Sequence, residues 1–354
     1  MKTNPAYDIR QKFGADYTPE AKQKLDFSNA ENPLGCSPAA VGAIRQYAGI
    51  VHRYPALYGD RLAETLRALH MAALPGFDAL CTAGAGAGIL LCVQAFVAPG
   101  GNVVLPELTF PLAVCGATTM GGAGRKVAVG DDLRLDLEAL VKACDSATGM
   151  IFLCNPNNPT GEVIPPERVA DLCARVDVPV VVSEANADYA GVSLLDLPAL
   201  PRNLVVIRSF SKIYGLAGMR AGYIVAHGAV MRRLRQACCP FTVSILAEQA
   251  ALAALADTDH LRRSRAMMDR QRDLVMRGLT GMGLDVFPSQ SNTVFFRVPE
   301  SFADASEFAA LLNAMGCSVV DGGHFCERAR HHVRITPRTE KENTDFLNLV
   351  REMM

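Results

Sequence analysis

Between about residues 80 and 226 the chain alternates short, nearly continuous apolar runs with stretches of helical period. The runs over Asn102–Leu105, Met150–Cys154, Val178–Ser183, Leu204–Arg208 and Gly222–Ala226 are rich in Val, Ile and Leu, the composition of strands covered on both faces. Segments over Gly86–Val97, Pro166–Arg175 and Val243–Ala256 predict helices. The alternation predicts an α/β body with a mostly parallel central sheet and helices on both faces. A long amphipathic helix over Leu261–Gly281 leads into a different order: strand Thr293–Val298, helix Ala303–Met315, strands Ser318–Val320 and His332–Thr336, helix Thr339–Met353. That order predicts a small α+β domain. The first forty residues, rich in Pro, Asn and Gly, read as an arm, so the expected division is arm 1–40, large domain 41–258 and small domain 259–354.

Composition narrows the partners. Of 354 residues, 50% are apolar and 20% charged, with a net charge of −1 and no long Lys/Arg run. A polyanionic partner needs a basic footprint, so no nucleic acid is expected. The Arg232–Arg233–Arg235 and Arg262–Arg263–Arg265 clusters fall on helices, where they read as solvated faces. Eleven cysteines without a Cys-x-x-Cys pair argue against a disulfide framework and for a reducing, cytoplasmic setting. The apolar stretch Ile89–Ala98 is broken by Gln94 and too short to span a bilayer. His324, His331 and His332 lack the spacing and carboxylate partners of a metal site, so no metal is expected.

The candidate chemistry begins at Ser209-Phe210-Ser211-Lys212, which follows a strand and delivers two hydroxyls and an amine to the carboxyl edge of the sheet. Gly215, Gly218 and Gly222 then permit close backbone approach, and Arg220 offers a planar fork suited to phosphate. Thr82-Ala83-Gly84-Ala85-Gly86 opens an apolar helix, where free N–H groups form an anion site. Asn155-Pro156-Asn157-Asn158-Pro159-Thr160-Gly161 and Ser183-Glu184-Ala185-Asn186 close the next two strands. Arg334, in a strand of the small domain, suits bidentate capture of a carboxylate. Taken singly, each piece also reads as a packed turn or a structural arginine.

Their order and spacing together resemble the class I/II aminotransferases, pyridoxal 5′-phosphate (PLP) enzymes of fold type I. Within that family the chain is most similar to the histidinol-phosphate aminotransferase branch, from about Asp26 to the C-terminus. Further matches are Glu31-Asn32-Pro33-Leu34-Gly35, Arg53-Tyr54-Pro55 and Ser291-Asn292-Thr293. The resemblance implies that Lys212 carries PLP as a Schiff base and shuttles the proton during transfer. It implies that Ser209, Ser211, Arg220 and the N–H groups of Ala85 and Gly86 hold the phosphate. Phe110 would stack on the ring and Asn158 would bond its hydroxyl group. Arg334 would clamp the amino acid carboxylate, with Asn32 also at the substrate, and Tyr54 would reach across a homodimer interface.

Two positions depart from the family pattern. Ser183-Glu184-Ala185-Asn186 stands where the family reads Asp-Glu-Ala-Tyr. Ser183 can hydrogen-bond the ring nitrogen but cannot hold its proton by charge, and Asn186 replaces a tyrosine at the ring oxygen. Glu184 is expected on the opposite strand face, and Asp188 could return only through a turn. Secondly, Val320 stands where the branch places an arginine for substrate phosphate, with Arg328, Arg330 and Arg338 as possible substitutes. The expectation is transfer between a non-phosphorylated, aromatic or hydrophobic amino acid and a 2-oxo acid. Asp26-Phe27-Ser28 and Asn32-Pro33-Leu34-Gly35 also resemble threonine-phosphate decarboxylase relatives, so a PLP-dependent lyase stays open. A PLP-binding sensor without turnover is the non-enzymatic alternative.

Overall fold

The computed structural model describes residues 25–72 and 74–354. The part of the expected arm before residue 25 lies outside these.

The chain enters through a two-residue strand, β1 (Leu25–Asp26), and a helix at Pro38–Tyr47 capped by Ser37. A seven-stranded sheet follows: β2 (Phe77–Thr82), β3 (Asn102–Pro106), β4 (Ala123–Val127), β5 (Thr148–Cys154), β6 (Val180–Ser183), β7 (Leu204–Ser209) and β8 (Gly222–His227). Their order across the sheet is β2-β8-β7-β6-β5-β3-β4. Every neighbouring pair is parallel except those made by β8, which runs against both β2 and β7. Successive strand side chains point to opposite faces. Thus Ile151, Leu153, Val180, Val182 and Val206 enter one core with Leu172, Ala250 and Ala251. Met150, Phe152, Val181, Val205 and Ile207 enter the other, under Ile89, Val93 and Phe96. Burial on both faces explains why these strands show no polar alternation.

The C-terminal part builds β9 (Val286–Phe287), β10 (Val294–Arg297), β11 (Cys317–Ser318), β12 (Val320–Asp321) and β13 (His332–Ile335). The four-stranded sheet has the order β12-β13-β10-β9. The single strand expected over Ser318–Val320 is divided between two sheets. β11 pairs in parallel with β1, whereas β12 joins β13. The Asp26 carboxylate fixes that split by accepting from Ser28, Asn29 and Ser318. Leu25 and Phe27 thereby enter the core of the C-terminal part with Val275, Phe296, Phe308 and Phe346. A smaller cluster joins the two bodies, setting Leu108, Val129 and Leu133 against Phe295, Cys326 and Ala329. The loop that follows β5 meets the C-terminal part, where the Gln290 N–H donates to the Gly161 carbonyl at 3.1 Å.

Candidate active site

Close backbone packing builds an anion cup at the end of β7. Gly222 pairs with both Ser209 and Thr82, which brings the start of the Gly84–Phe96 helix against β8. A Cβ on Gly222 would lie 2.7 Å from the Gly84 carbonyl carbon and 2.8 Å from the Ala85 nitrogen. Ala83 gives this helix no side-chain cap, so N–H groups of its first turn, Ala85 and Gly86 among them, remain for an anion. Arg220 adopts a left-handed backbone, φ 53°, and its guanidinium lies against Gly84, where a Cβ would come within 2.6 Å of Nη2. Its Nη1 donates to the Ala217 carbonyl at 2.8 Å and to Ser211 Oγ at 3.2 Å. Ser209 Oγ accepts from the Ser211 N–H at 3.1 Å. Two hydroxyls, a guanidinium and a helix start thus converge.

Lys212 stands between this cup and the small sheet. Desolvation lowers its pKa to about 8, with the Arg334 and Arg220 charges adding to that effect and Glu31 opposing it. Arg334 is 2% exposed and donates to the Ser28 carbonyl. Lysine and both arginines therefore form one electrostatic unit, although Arg220 lies in the β7–β8 connection and Arg334 on β13.

Asn32 lies beside the lysine loop. Its side-chain amide donates to the Ile213 carbonyl at 2.7 Å and to Ser264 Oγ at 2.9 Å, while its oxygen accepts from Leu34 N–H. With both amide protons engaged, Asn32 braces the lysine loop.

The third wall comes from the ends of β3, β5 and β6. Asn158 and Asn186 each bury a side-chain oxygen that meets no hydrogen-bond partner. Phe110 packs against the core cluster to which Ala85 belongs. Asn157 positions this wall, a role sequence reading passed over. It accepts from Thr109 Oγ1 at 2.9 Å and donates to the Leu108 carbonyl and to Thr160. Ser183 is buried at the end of β6, level with Cys154 on β5. Asp188 does not return to this wall, because its carboxylate meets Arg208 at 2.6 Å. Arg208 also holds the fully buried Glu184, at 3.1 Å. Tyr54 is 84% exposed and packs on Phe241, on the outer surface.

The sequence profile of the family described as aminotransferase class I and II matches residues 22–350. The chain belongs to this family. Among relatives of this aminotransferase is a histidinol-phosphate aminotransferase of Symbiobacterium thermophilum, 35% identical over 98% of this chain and 93% of that one. Another, of Methanothermobacter thermautotrophicus, is 33% identical over 93% and 89% of the two chains. The crystal structure of histidinol-phosphate aminotransferase from Sinorhizobium meliloti in complex with pyridoxal-5′-phosphate superposes with a TM-score of 0.83 at 25% identity, covering 100% and 98%. A putative histidinol-phosphate aminotransferase from Erwinia carotovora atroseptica gives 0.83 at 27%, covering 93% and 95%.

The enzyme is a PLP-dependent aminotransferase of fold type I. Its residues fit the cofactor. The cup matches a phosphate, the softened amine matches an aldehyde, and Asn158 and Asn186 keep buried amide oxygens that meet no protein partner.

Proposed function

We propose that this aminotransferase takes the amino group from a non-phosphorylated amino acid with an aromatic or other apolar side chain and gives it to a 2-oxo acid. The pairing around Arg334 carries this reading. Val320 on β12 and Phe295 on β10 both lie directly opposite Arg334, and residues so paired project to the same face. A phosphate beside the carboxylate clamp needs a second cation, and an apolar pair flanks it instead. The possible substitutes are committed to carboxylates. Arg328 meets Glu107 at 3.3 Å and Asp131 at 3.1 Å, Arg330 meets Glu327 at 2.9 Å, and Arg338 meets Glu342 at 2.9 Å.

The names of the relatives favour a second donor, histidinol phosphate. The visible band of the loaded enzyme separates the two. Aromatic and aliphatic amino acids are expected to bleach it, and Val320→Arg is expected to improve bleaching by histidinol phosphate. Native enzyme bleached by histidinol phosphate at lower concentration than by any amino acid overturns the assignment.

Bound in this site, PLP supplies the carbonyl that receives the amino group and a ring that withdraws electron density. Ser209, Ser211, Arg220 and the N–H groups of Ala85 and Gly86 hold its phosphate. Phe110 covers one ring face, and the amides of Asn158 and Asn186 take the ring hydroxyl. Arg334 grips the substrate carboxylate so that the Cα–H faces Lys212. The Lys212 amine would take up that proton and carry it during the transfer, and Asn32 keeps the lysine loop in place.

A second copy of the chain completes the site in this reading. Tyr54 and Phe241, ring centroids 5.1 Å apart, form an exposed apolar patch with Val51 and Leu57. Covered by a partner, Tyr54 reaches the neighbouring phosphate cup. Light scattering is expected to give the mass of two chains, and Tyr54→Ala to weaken PLP retention. A monomer at full activity removes this part of the proposal. The free thiols of all eleven cysteines support a reducing, cytoplasmic setting.

A further inference from the structure

The ring of PLP carries its aldehyde carbon between the phosphate arm and the hydroxyl group, with the ring nitrogen directly across from the aldehyde position. Fixing those three groups at Lys212, at the phosphate cup and at Asn158 and Asn186 aims the nitrogen at the opposite wall. That wall is where β5 and β6 end, at Cys154 and Ser183, which are register partners.

Its groups are uncharged and closely linked. Cys154 and Ser183 face each other in register, and Ser183, Thr109, Phe110 and Asn158 are the groups around the thiol that counter the effect of its burial. Burial pushes this thiol up to about 11, so it keeps its proton at neutral pH. Thr109 is fixed by the bond it donates to Asn157. The carboxylates that follow Ser183 in sequence are turned to the other side of the sheet. Glu184 accepts from Ser193, from the Leu194 N–H and from Arg208, and Asp188 accepts from Arg208. Neither can swing back without leaving the buried guanidinium unpaired.

We propose that Ser183, with Cys154 and Thr109 behind it, forms a neutral hydrogen-bonding seat that keeps the ring nitrogen of bound PLP unprotonated. The inference rests on the reading that Lys212 carries PLP in this orientation. An unprotonated pyridine accepts a bond from the Ser183 hydroxyl, whereas a pyridinium needs an anion to hold its proton in a buried site. The consequence is a weaker pull on electrons at the substrate Cα, set by this chain's own wall and not by the cofactor.

Nitrogen NMR on protein loaded with PLP labelled at the ring nitrogen tests this directly. The native protein is expected to show the neutral pyridine position, constant from about pH 6 to 9. Ser183→Asp is expected to move the signal to the pyridinium position. It is also expected to speed single-turnover loss of the donor Cα proton at least ~10-fold, the factor that one pKa unit represents. A pyridinium signal from native protein overturns the proposal, and that measurement needs no variant to fold. An unmoved signal in a folded Ser183→Asp protein overturns it as well. Borohydride trapping and peptide mass show whether the label sits on Lys212. Label found elsewhere overturns the reading of the site itself, whereas label on Lys212 with a pyridinium signal overturns only the neutral seat.

Discussion

Lys212→Ala is expected to lower amino-transfer turnover by roughly 10³-fold or more, within the range that a positioned general acid–base contributes. Lys212 is proposed both to hold the cofactor and to move the Cα proton, so its loss removes two functions at once. Stopped-flow bleaching with a saturating amino acid measures it. The lowered pKa, about 8, also gives a pH dependence with a definite sign. Only the free amine attacks an aldehyde, so capture of PLP by protein stripped of cofactor rises with pH, with its midpoint near 8. Desolvation is the main cause, and the Arg334 charge adds to it. Arg334→Leu should therefore move the midpoint upward. A midpoint that stays fixed in this variant, or capture that falls with pH, contradicts the electrostatic picture.

Arg208→Ala is expected to destabilise the fold by about 3–5 kcal/mol, because it strands two carboxylates that share one buried guanidinium. Glu184 is fully buried and Asp188 largely so. Burial already pushes the Glu184 carboxyl upward, and Arg208, the Leu194 N–H and the Ser193 hydroxyl hold it down. Without the arginine, Glu184 takes up a proton on folding. A group with its folded pKa raised above the unfolded value stabilises at low pH and loses that contribution as pH rises. The deficit of the variant should consequently shrink as pH falls from 8 to about 5. Urea titrations of both proteins at several pH values check this. A deficit independent of pH would assign the loss to packing alone.

The large sheet was legible because its strands are buried on both faces. Met150–Cys154, Val180–Ser183 and Leu204–Ser209 need continuous apolar side chains wherever they are placed. β4, Ala-Gly-Arg-Lys-Val, was not legible, since an exposed edge strand carries charge and no alternation. The split at Val319 was missed for a different reason. Which sheet a two-residue strand joins is decided by partners such as Asp26, almost three hundred residues distant. At the site, residues with distinctive chemistry, Lys212 and Arg220, stood out in sequence. Those that act by bracing did not. The bonds by which Asn32 holds the lysine loop left no mark in the sequence, and Asn157 was indistinguishable from its neighbour Asn158.

The pairing of β1 with β11 bears on the order in which the molecule is made. Asp26 bonds Ser318 across 292 positions, and the Thr336 N–H bonds the Phe27 carbonyl. A ribosome delivers the N-terminal partner first, and almost three hundred further residues must follow before the other emerges. The large sheet has all of its strands by His227, so it can assemble during synthesis. The carboxylate clamp cannot, because Arg334 takes its hold on Ser28 only at the end. The feature proposed to grip the substrate thus forms after the large sheet, and a nascent chain acquires it only once β13 has emerged.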